Sequence, residues 1–409
     1  MERRIPRKTA SSSMRENLSA KDFLVEPDIR KAESLPASAF TDGEFLELEL
    51  RTIFAKTWLL VPEQDISGKD STSFTGFLKS SGSRSPFSLL GKPFFLQRGQ
   101  RGQLYCFPNV CTHAWHPLVD SPTTGGAIVC PQHGRQFDVE GRFLSQAGFG
   151  GLENFPRESD HLRALQVAEW GPFIFTALDH PLAPFHEFVQ NVQQSIPGIN
   201  LSSLRRHRLD AEVRIVEGNW KQHVWNYMDN CHIRFVHKGP GGLADAIDQS
   251  TYKTELYKYS SLQWVYARHP EYGFDRRLLA PRFQDPKNLD RRVFALWWFV
   301  FPNLTLNFYP WGLSVNIYSP IPGQPDKTQF HWYQYAINEE KFHQRNKTWL
   351  SEQVDDEDVE AISLVSKGAR SGYAPRGRFA PEEEAGPHWF HRLAYETIFE
   401  DQTTQDEPS

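Results

Sequence analysis

The 409-residue chain reads as α+β: a small all-β module followed by a larger domain built on an antiparallel sheet with helices. Three observations predict this. From residue 58 to about 175, short extended runs are cut by Gly, Pro and Ser. Farther on, Leu304, Leu306 and Phe308 alternate with Thr305 and Asn307, and Leu313, Val315 and Ile317 alternate with Ser314 and Asn316. The two runs make a hairpin turning at Tyr309-Pro310-Trp311-Gly312. An acidic, helix-favouring stretch over 339–367 follows and stops at Gly368 and the Ser371-Gly372-Tyr373 turn.

In chain order, the first residues are rich in Arg and Ser (Arg3, Arg4, Arg7, Ser11, Ser12, Ser13, Arg15), which suits a disordered basic arm or an organelle transit segment, although Glu2 and Glu16 dilute the basic bias. Residues 45–57 carry apolar side chains at Phe45, Leu46, Leu48, Leu50, Ile53 and Phe54, a mostly helical spacing, and lead into a strand at 58–61. Strands are expected at 93–96, 103–107 and 127–129, whereas the Ser- and Gly-rich stretch 71–88 reads as a loop. Residues 184–194 and 218–231 read as helices, and 290–338 as strands.

The net charge of −5 gives no global positive field to gather nucleic acid or anionic membrane. The longest apolar run, 294–301, is less than half of a membrane span. Four cysteines in this length make no disulfide framework, so a reducing compartment, the cytoplasm, is expected.

Two of those cysteines belong to a denser pattern. Cys111-Thr112-His113 is followed, after sixteen residues, by Cys130-Pro131-Gln132-His133-Gly134. Two thiolates and two imidazoles, one of each on two tight loops, suit a tetrahedral zinc or a 2Fe-2S cluster with two Cys on one iron and two His on the other. A one-residue gap puts the Cys and His of each loop on different metals, and Pro131 and Gly134 permit a close turn, which favours the cluster. A second pattern, Asp229-x2-His232-x4-His237, lies at the end of the 218–231 helix. Spacing of i, i+5 does not put both imidazoles on one face of a straight helix, so the helix must break near Cys231. Two His and one carboxylate form the facial triad of non-haem Fe(II), which leaves positions open for dioxygen and substrate. The third ligand is sought among Asp355, Asp356, Glu357 and Asp358.

Both half-motifs of the cysteine pattern, their order and their separation resemble those of the Rieske proteins. Ala114, Gln132 and Arg135 depart from the Arg and aromatic residues usual there, and His116 reads as a surface or cluster-lid histidine. The stretch Asn219-Trp220-Lys221 to Asn226-Tyr227, Asp229, His232 and His237 resembles the catalytic subunit of Rieske non-haem iron oxygenases, with Trp225 standing where a polar residue is usual. Glu357-Asp358-Val359, then Val365-Ser366-Lys367-Gly368 and Tyr373, resembles choline-monooxygenase-like members and selects Asp358.

The resemblance implies a Rieske domain over 58–178, preceded by an arm over 1–34 and a helix over 35–57 that packs on the catalytic domain. It also implies a helix-grip catalytic domain over 179–400 and a tail over 401–409. Cys111, His113, Cys130 and His133 would hold the 2Fe-2S cluster, and His232, His237 and Asp358 the mononuclear Fe(II). Asp229 would link His133 of a neighbouring subunit to His232, in an oligomer that is most often a trimer. With no further four-Cys set and no GxGxxG after a strand, electrons must come from a separate NAD(P)H-dependent reductase or ferredoxin. The implied function is O2-dependent hydroxylation or demethylation of a small organic substrate, and the segments around Phe301-Pro302-Asn303 and Tyr309-Pro310-Trp311 point to quaternary ammonium compounds. Trp297, Trp298, Tyr309, Trp311, Tyr318, Trp332 and Tyr333 supply aromatic material for an ammonium head. An arene dioxygenase subunit and a non-catalytic electron carrier are the alternatives.

Overall fold

The computed structural model describes residues 19–63, 74–237, 242–344 and 351–399. Helix α1 (Gly43–Glu49) starts at Asp42, whose carboxylate accepts the Glu44 N–H, and widens into π-helical geometry over Leu50–Phe54. Strand β1 (Leu59–Leu60) then opens the all-β module.

That module contains β2 (Ser83–Leu89), β3 (Lys92–Arg98), β4 (Leu104–Pro108) and β5 (Thr123–Thr124) in a sheet ordered β4-β3-β2-β5. A second sheet runs β6 (Ile128–Val129), β7 (Gln136–Phe137) and β8 (Phe143–Ser145). A third joins β1 to β9 (Gln166–Trp170) through β10 (Phe173–Ala177). Phe95, Phe107, Ile128, Phe137 and Leu162 form a small core around the buried Cys111 and Cys130.

The loop expected over 71–88 is corrected by this arrangement. A helical turn occupies Phe74–Phe77, and β2 pairs with β3 from Arg84↔Gln97 to Leu89↔Lys92, while residues 71–73 lie outside the described residues. Pairing with an apolar neighbour strand overrides the poor strand propensity of Ser83, Ser85 and Ser88, as burial of Phe87 requires.

After helix α2 (Phe185–Ser195), the larger domain is one antiparallel seven-stranded sheet. Its strands are β11 (Arg205–Glu217), β12 (Lys253–Leu256), β13 (Ser260–Tyr266), β14 (Val293–Val300), β15 (Leu304–Phe308), β16 (Gly312–Ile321) and β17 (Gln324–Ala336), ordered β11-β17-β16-β15-β14-β13-β12. The expected hairpin is present: Phe308 faces Leu313, the Tyr309 N–H donates to the Gly312 carbonyl at 2.8 Å, and the Gly312 N–H returns the bond at 3.1 Å. Position 312 must be glycine, because an added Cβ would run into the Tyr335 carbonyl oxygen of the neighbouring strand. Strand β14 is buried along its whole length, and each Leu or Phe so covered contributes about 1.5–3 kcal/mol.

Helices α3 (Trp220–Met228) and α4 (Ile233–Val236) follow β11, and α5 (Ser351–Ala369) and α6 (Ala385–Phe399) close the chain, packing against α3 and the sheet. Among the described residues, no helix is long and apolar enough to cross a membrane.

The expected disordered arm over 1–34 is corrected for its second half. Residues 19–34 bury Phe23, Val25 and Ala32, and the Arg376 guanidinium donates to the carbonyls of Leu24 (2.6 Å) and Ser34 (2.6 Å). Arg378 does the same for Ala32 at 3.0 Å and for Arg30. Fixed carbonyls satisfied by forked cations hold a segment that composition alone reads as loose. Residues 1–18 and the tail 401–409 lie outside the described residues.

Candidate metal centres

The two Cys loops have the same backbone. In one, the Cys111 N–H donates to the His116 carbonyl (2.9 Å) and the Trp115 N–H to the Cys111 carbonyl (3.1 Å). In the other, the Cys130 N–H donates to Arg135 (2.8 Å) and the Gly134 N–H to Cys130 (3.0 Å). Trp115 and Gly134 occupy equivalent left-handed positions, φ 63° and 67°. The second loop meets that demand with glycine and the first with a tryptophan whose side chain is 80% exposed.

Both thiols are buried, and burial together with the neighbouring Cys130 thiol raises Cys111. The His113 and His133 rings lie edge to face, 4.8 Å apart, with His133 exposed. Two buried thiols beside a half-buried and an exposed imidazole make a donor set that would suit a 2Fe-2S cluster with Cys on one iron and His on the other.

Arg135, flagged in the sequence only as a departure, is 2% exposed and ties the two loops together. Its guanidinium donates to Thr112 Oγ1 (2.8 Å) and Gln146 Oε1 (2.6 Å), pairs with Asp160 (3.4 Å), and lies 5.2–5.6 Å from the rings of Phe143, Phe149 and Phe155. The Gln146 amide nitrogen is in turn 3.0 Å from His113 Nδ1.

The second centre grows from α3. Asn219 caps this helix, accepting the Lys221 N–H at 3.0 Å while its own N–H donates to Gln222 Oε1 at 2.9 Å. Lys221 is fully buried, 2.7 Å from the equally buried Glu49 at the end of α1, which also accepts from the Trp220 indole at 3.1 Å. The helix stops at Met228 and α4 restarts at Ile233, the break that the His spacing requires. As a result the His232 and His237 rings meet 5.1 Å apart at 77°.

Asp358 of α5 completes the group: one donor atom from each of His232, His237 and Asp358 lies within 4.8 Å of the others. His237 Nε2 is 3.1 Å and His232 Nε2 3.6 Å from Asp358 Oδ1, yet that buried oxygen has no well-angled hydrogen bond. Three sets of lone pairs converging on one point, with a buried oxygen left over, fit a metal ion. Burial works against charge on both partners, but the carboxylates of Asp358 and Glu357 raise His237, and His237 and His232 lower Asp358.

Of the other acids considered, Glu357 accepts from His237 Nδ1 at 2.7 Å, and Asp356 pairs with Arg214 at 2.8 Å in solvent. Glu357 therefore fixes the His237 tautomer, a role that the sequence reading missed. Asp229 accepts the Cys231 N–H at 2.6 Å and lies 3.5 Å from His232 Nδ1. Asp229 lines two spaces, the metal cavity and a groove of about 470 Å³ walled by Leu35, Phe40, Trp225, Val365 and Pro375. Trp225 donates its indole N–H to Glu384 at 3.3 Å, so a polar group at this position comes from the residue just ahead of α6 instead.

The metal cavity, about 70 Å³, is lined by Tyr227, Tyr252, Trp297, Tyr309 and Tyr318, with Asn307, Asn316 and Asp355 among its polar groups. Three of the seven aromatics singled out in the sequence are therefore present. Trp298, Trp332 and Tyr333 are packed in the core, and Trp311 stacks behind Tyr309 at 4.9 Å. Tyr252 carried no sequence signal, since it sits in an irregular segment between helix and strand.

The Rieske [2Fe-2S] domain family matches residues 75–156, and the catalytic domain of ring hydroxylating alpha subunits matches 200–398. Chloroplastic choline monooxygenase of Arabidopsis thaliana is 26% identical over 90% of this chain and 84% of its own. The carnitine monooxygenase oxygenase subunit of Acinetobacter baumannii is 26% identical over 91% and 95%. Among solved structures, a quaternary ammonium Rieske monooxygenase in complex with L-carnitine superposes with TM-score 0.69 at 20% identity, covering 93% of this chain and 99% of that one. Naphthalene 1,2-dioxygenase from Rhodococcus sp. superposes with TM-score 0.67 at 15% identity over 90% and 95%, so these likenesses establish a shared fold. Two families in tandem over about two thirds of the chain, on a scaffold carrying both donor sets, make this protein a Rieske non-haem iron oxygenase alpha subunit, an oxidoreductase of the 2Fe-2S and mononuclear-iron type.

Proposed function

We propose that the enzyme is a monooxygenase for a small quaternary ammonium compound. The observation that carries this reading is the wall of Tyr227, Tyr252, Trp297, Tyr309 and Tyr318 beside His232, His237 and Asp358. A cation over such ring faces gains about 0.5–2 kcal/mol, more when dry, and a cavity of about 70 Å³ favours a compact head over fused rings. The choline and carnitine monooxygenases among the relatives support the same substrate class.

In this reading Cys111, His113, Cys130 and His133 hold the cluster, and His232, His237 and Asp358 the iron. When bound, the cluster delivers single electrons and the ferrous ion is where dioxygen reacts. The residues do the rest. Glu357 keeps the proton on His237 Nδ1 and leaves Nε2 to ligate. Aromatic rings hold the ammonium head and exclude water. Asp229, open toward the groove, receives His133 of the partner subunit and passes electrons to His232, which makes the working unit an oligomer, with a trimer as the expected form. Electrons come from a separate reductase or ferredoxin, and the reducing cytoplasm suits the four cysteines.

The test is reconstitution with iron and sulfide, then oxygen uptake with a generic reductase over choline, carnitine and naphthalene. Reductant-dependent oxidation of a quaternary amine, read as aldehyde, is expected. A dihydrodiol from naphthalene with no amine turnover would overturn the reading in favour of an arene dioxygenase.

A further inference from the structure

Resting on the oligomer in which Asp229 meets His133 of the partner subunit, we infer that Trp115 of the partner subunit seats its indole in the groove beside Asp229. A second copy of this chain then covers that groove. The first observation is on the cluster loop. Trp115 holds φ 63°, the left-handed conformation that the companion loop gives to Gly134, and its side chain is 80% exposed. A bulky residue in that conformation is strained, and an exposed indole recovers nothing within its own chain. A contact outside the chain, burying a large flat ring, supplies the gain.

The second observation is the groove itself. Its walls at Leu35, Phe40, Trp225, Val365 and Pro375 are apolar, and about 470 Å³ leaves room for an indole. Val365 is exposed, and so is Tyr373, the neighbour of the lining residue Ala374. Apolar side chains gathered in and around one concave surface mark an interaction site. Charge agrees with the choice of occupant. Asp229 and Glu384 are the acids of the groove, no Lys or Arg is among its described lining residues, and His133 offers an exposed imidazole on the cluster side.

Distance ties the two features together. Trp115 follows His113 by two residues, about 7 Å of chain at most, and the His113 ring is 4.8 Å from that of His133. Asp229 is itself a wall of the groove. A His133 placed on Asp229 therefore brings the Trp115 of the same subunit to the groove.

The test follows the iron-loaded holoenzyme by sedimentation velocity over a dilution series, and wild type should be an oligomer that dissociates only at low concentration. Trp115→Gly relieves the strain, so the visible spectrum of the cluster should be unchanged while the dissociation midpoint moves to at least about tenfold higher concentration. Ala369→Trp fills the groove from its own wall, in the other domain, and should shift the midpoint similarly. The double variant should dissociate no more readily than the weaker single one, because both changes remove one contact. If Trp115→Gly does not hold its cluster, Ala369→Trp decides with the cluster loop intact. An unchanged midpoint in Trp115→Gly overturns the inference and leaves the oligomer standing, and a raised KM for the reductase in that case assigns the indole to the electron donor. A shift in Trp115→Gly with none in Ala369→Trp overturns the groove as the seat. Wild type that is monomeric at every concentration overturns the oligomer and this inference with it.

Discussion

Asp356 and Asp358 are two residues apart on one helix, yet the first pairs with Arg214 in solvent and the second meets two imidazoles. Asp358→Ala should therefore lower the iron content from about three to about two per chain and leave the cluster spectrum unchanged, whereas Asp356→Ala should keep all three. Iron counting decides it, and the reverse pattern would move the ligand to Asp356. Glu357→Gln keeps a hydrogen-bonding side chain but loses the charge that fixes His237, so iron affinity should drop about 10–100-fold, measured by competition with a chelator. Retention equal to wild type would remove Glu357 from the site. The His pair and its break were legible in the spacing. Which of four consecutive acids faces inward was not, because that depends on helical phase relative to α3, and only the resemblance selected Asp358. Alternation in β14 could have decided between neighbours: Trp297 lines the cavity, so Trp298 must point the other way, into the core.

At the scale of elements, Asp229 stands where α3 ends, touching the His232 side and open to the groove. Asp229→Asn should retain both metal centres and a dithionite-reducible cluster while slowing turnover about 10–100-fold, because the amide keeps the shape but loses the charge that orders imidazoles. Near-wild-type turnover would sink the bridging role. The cluster loops give a second test. Arg135→Gln removes the guanidinium that joins Thr112, Gln146 and Asp160, so the visible absorbance of the cluster should bleach faster on warming while the mononuclear iron stays. An unchanged bleaching rate would show that the loops stand without it. The hairpin at Tyr309–Gly312 was readable because both strands alternate cleanly. The 71–88 stretch was misread because its Ser-rich strand owes its existence to β3, a partner that local composition does not reveal.

At the scale of the whole molecule, burial among the described residues lowers His223 and His331 to about 4 and His391 to about 3, which leaves these rings uncharged at neutral pH. Each has a folded value below its unfolded 6.5, so the unfolded chain binds more protons as pH falls. Stability is full above 6.5 and is lost on acidification toward 4, at about 1.4 kcal/mol per pH unit for each histidine. Melting temperature should fall clearly between pH 7 and pH 5, and a flat profile would show that these rings titrate freely. The sequence placed the two domains in order but missed the clasp of Arg376 and Arg378 on residues 24–34, since contacts across some 350 positions leave no local periodicity.

The origins of the metal ligands also fix a schedule. The last cluster residue, His133, leaves the ribosome early, and all four cluster ligands lie between 111 and 133, with the residues that brace their loops following by Asp160. His237 emerges 121 residues before Asp358. At about 5–20 residues per second that gap lasts on the order of 6–24 s, during which two imidazoles exist without their carboxylate. The donor set for the cluster is therefore complete in the chain before that for the mononuclear iron, so a half-made chain lacks the third ligand of the site where dioxygen would react.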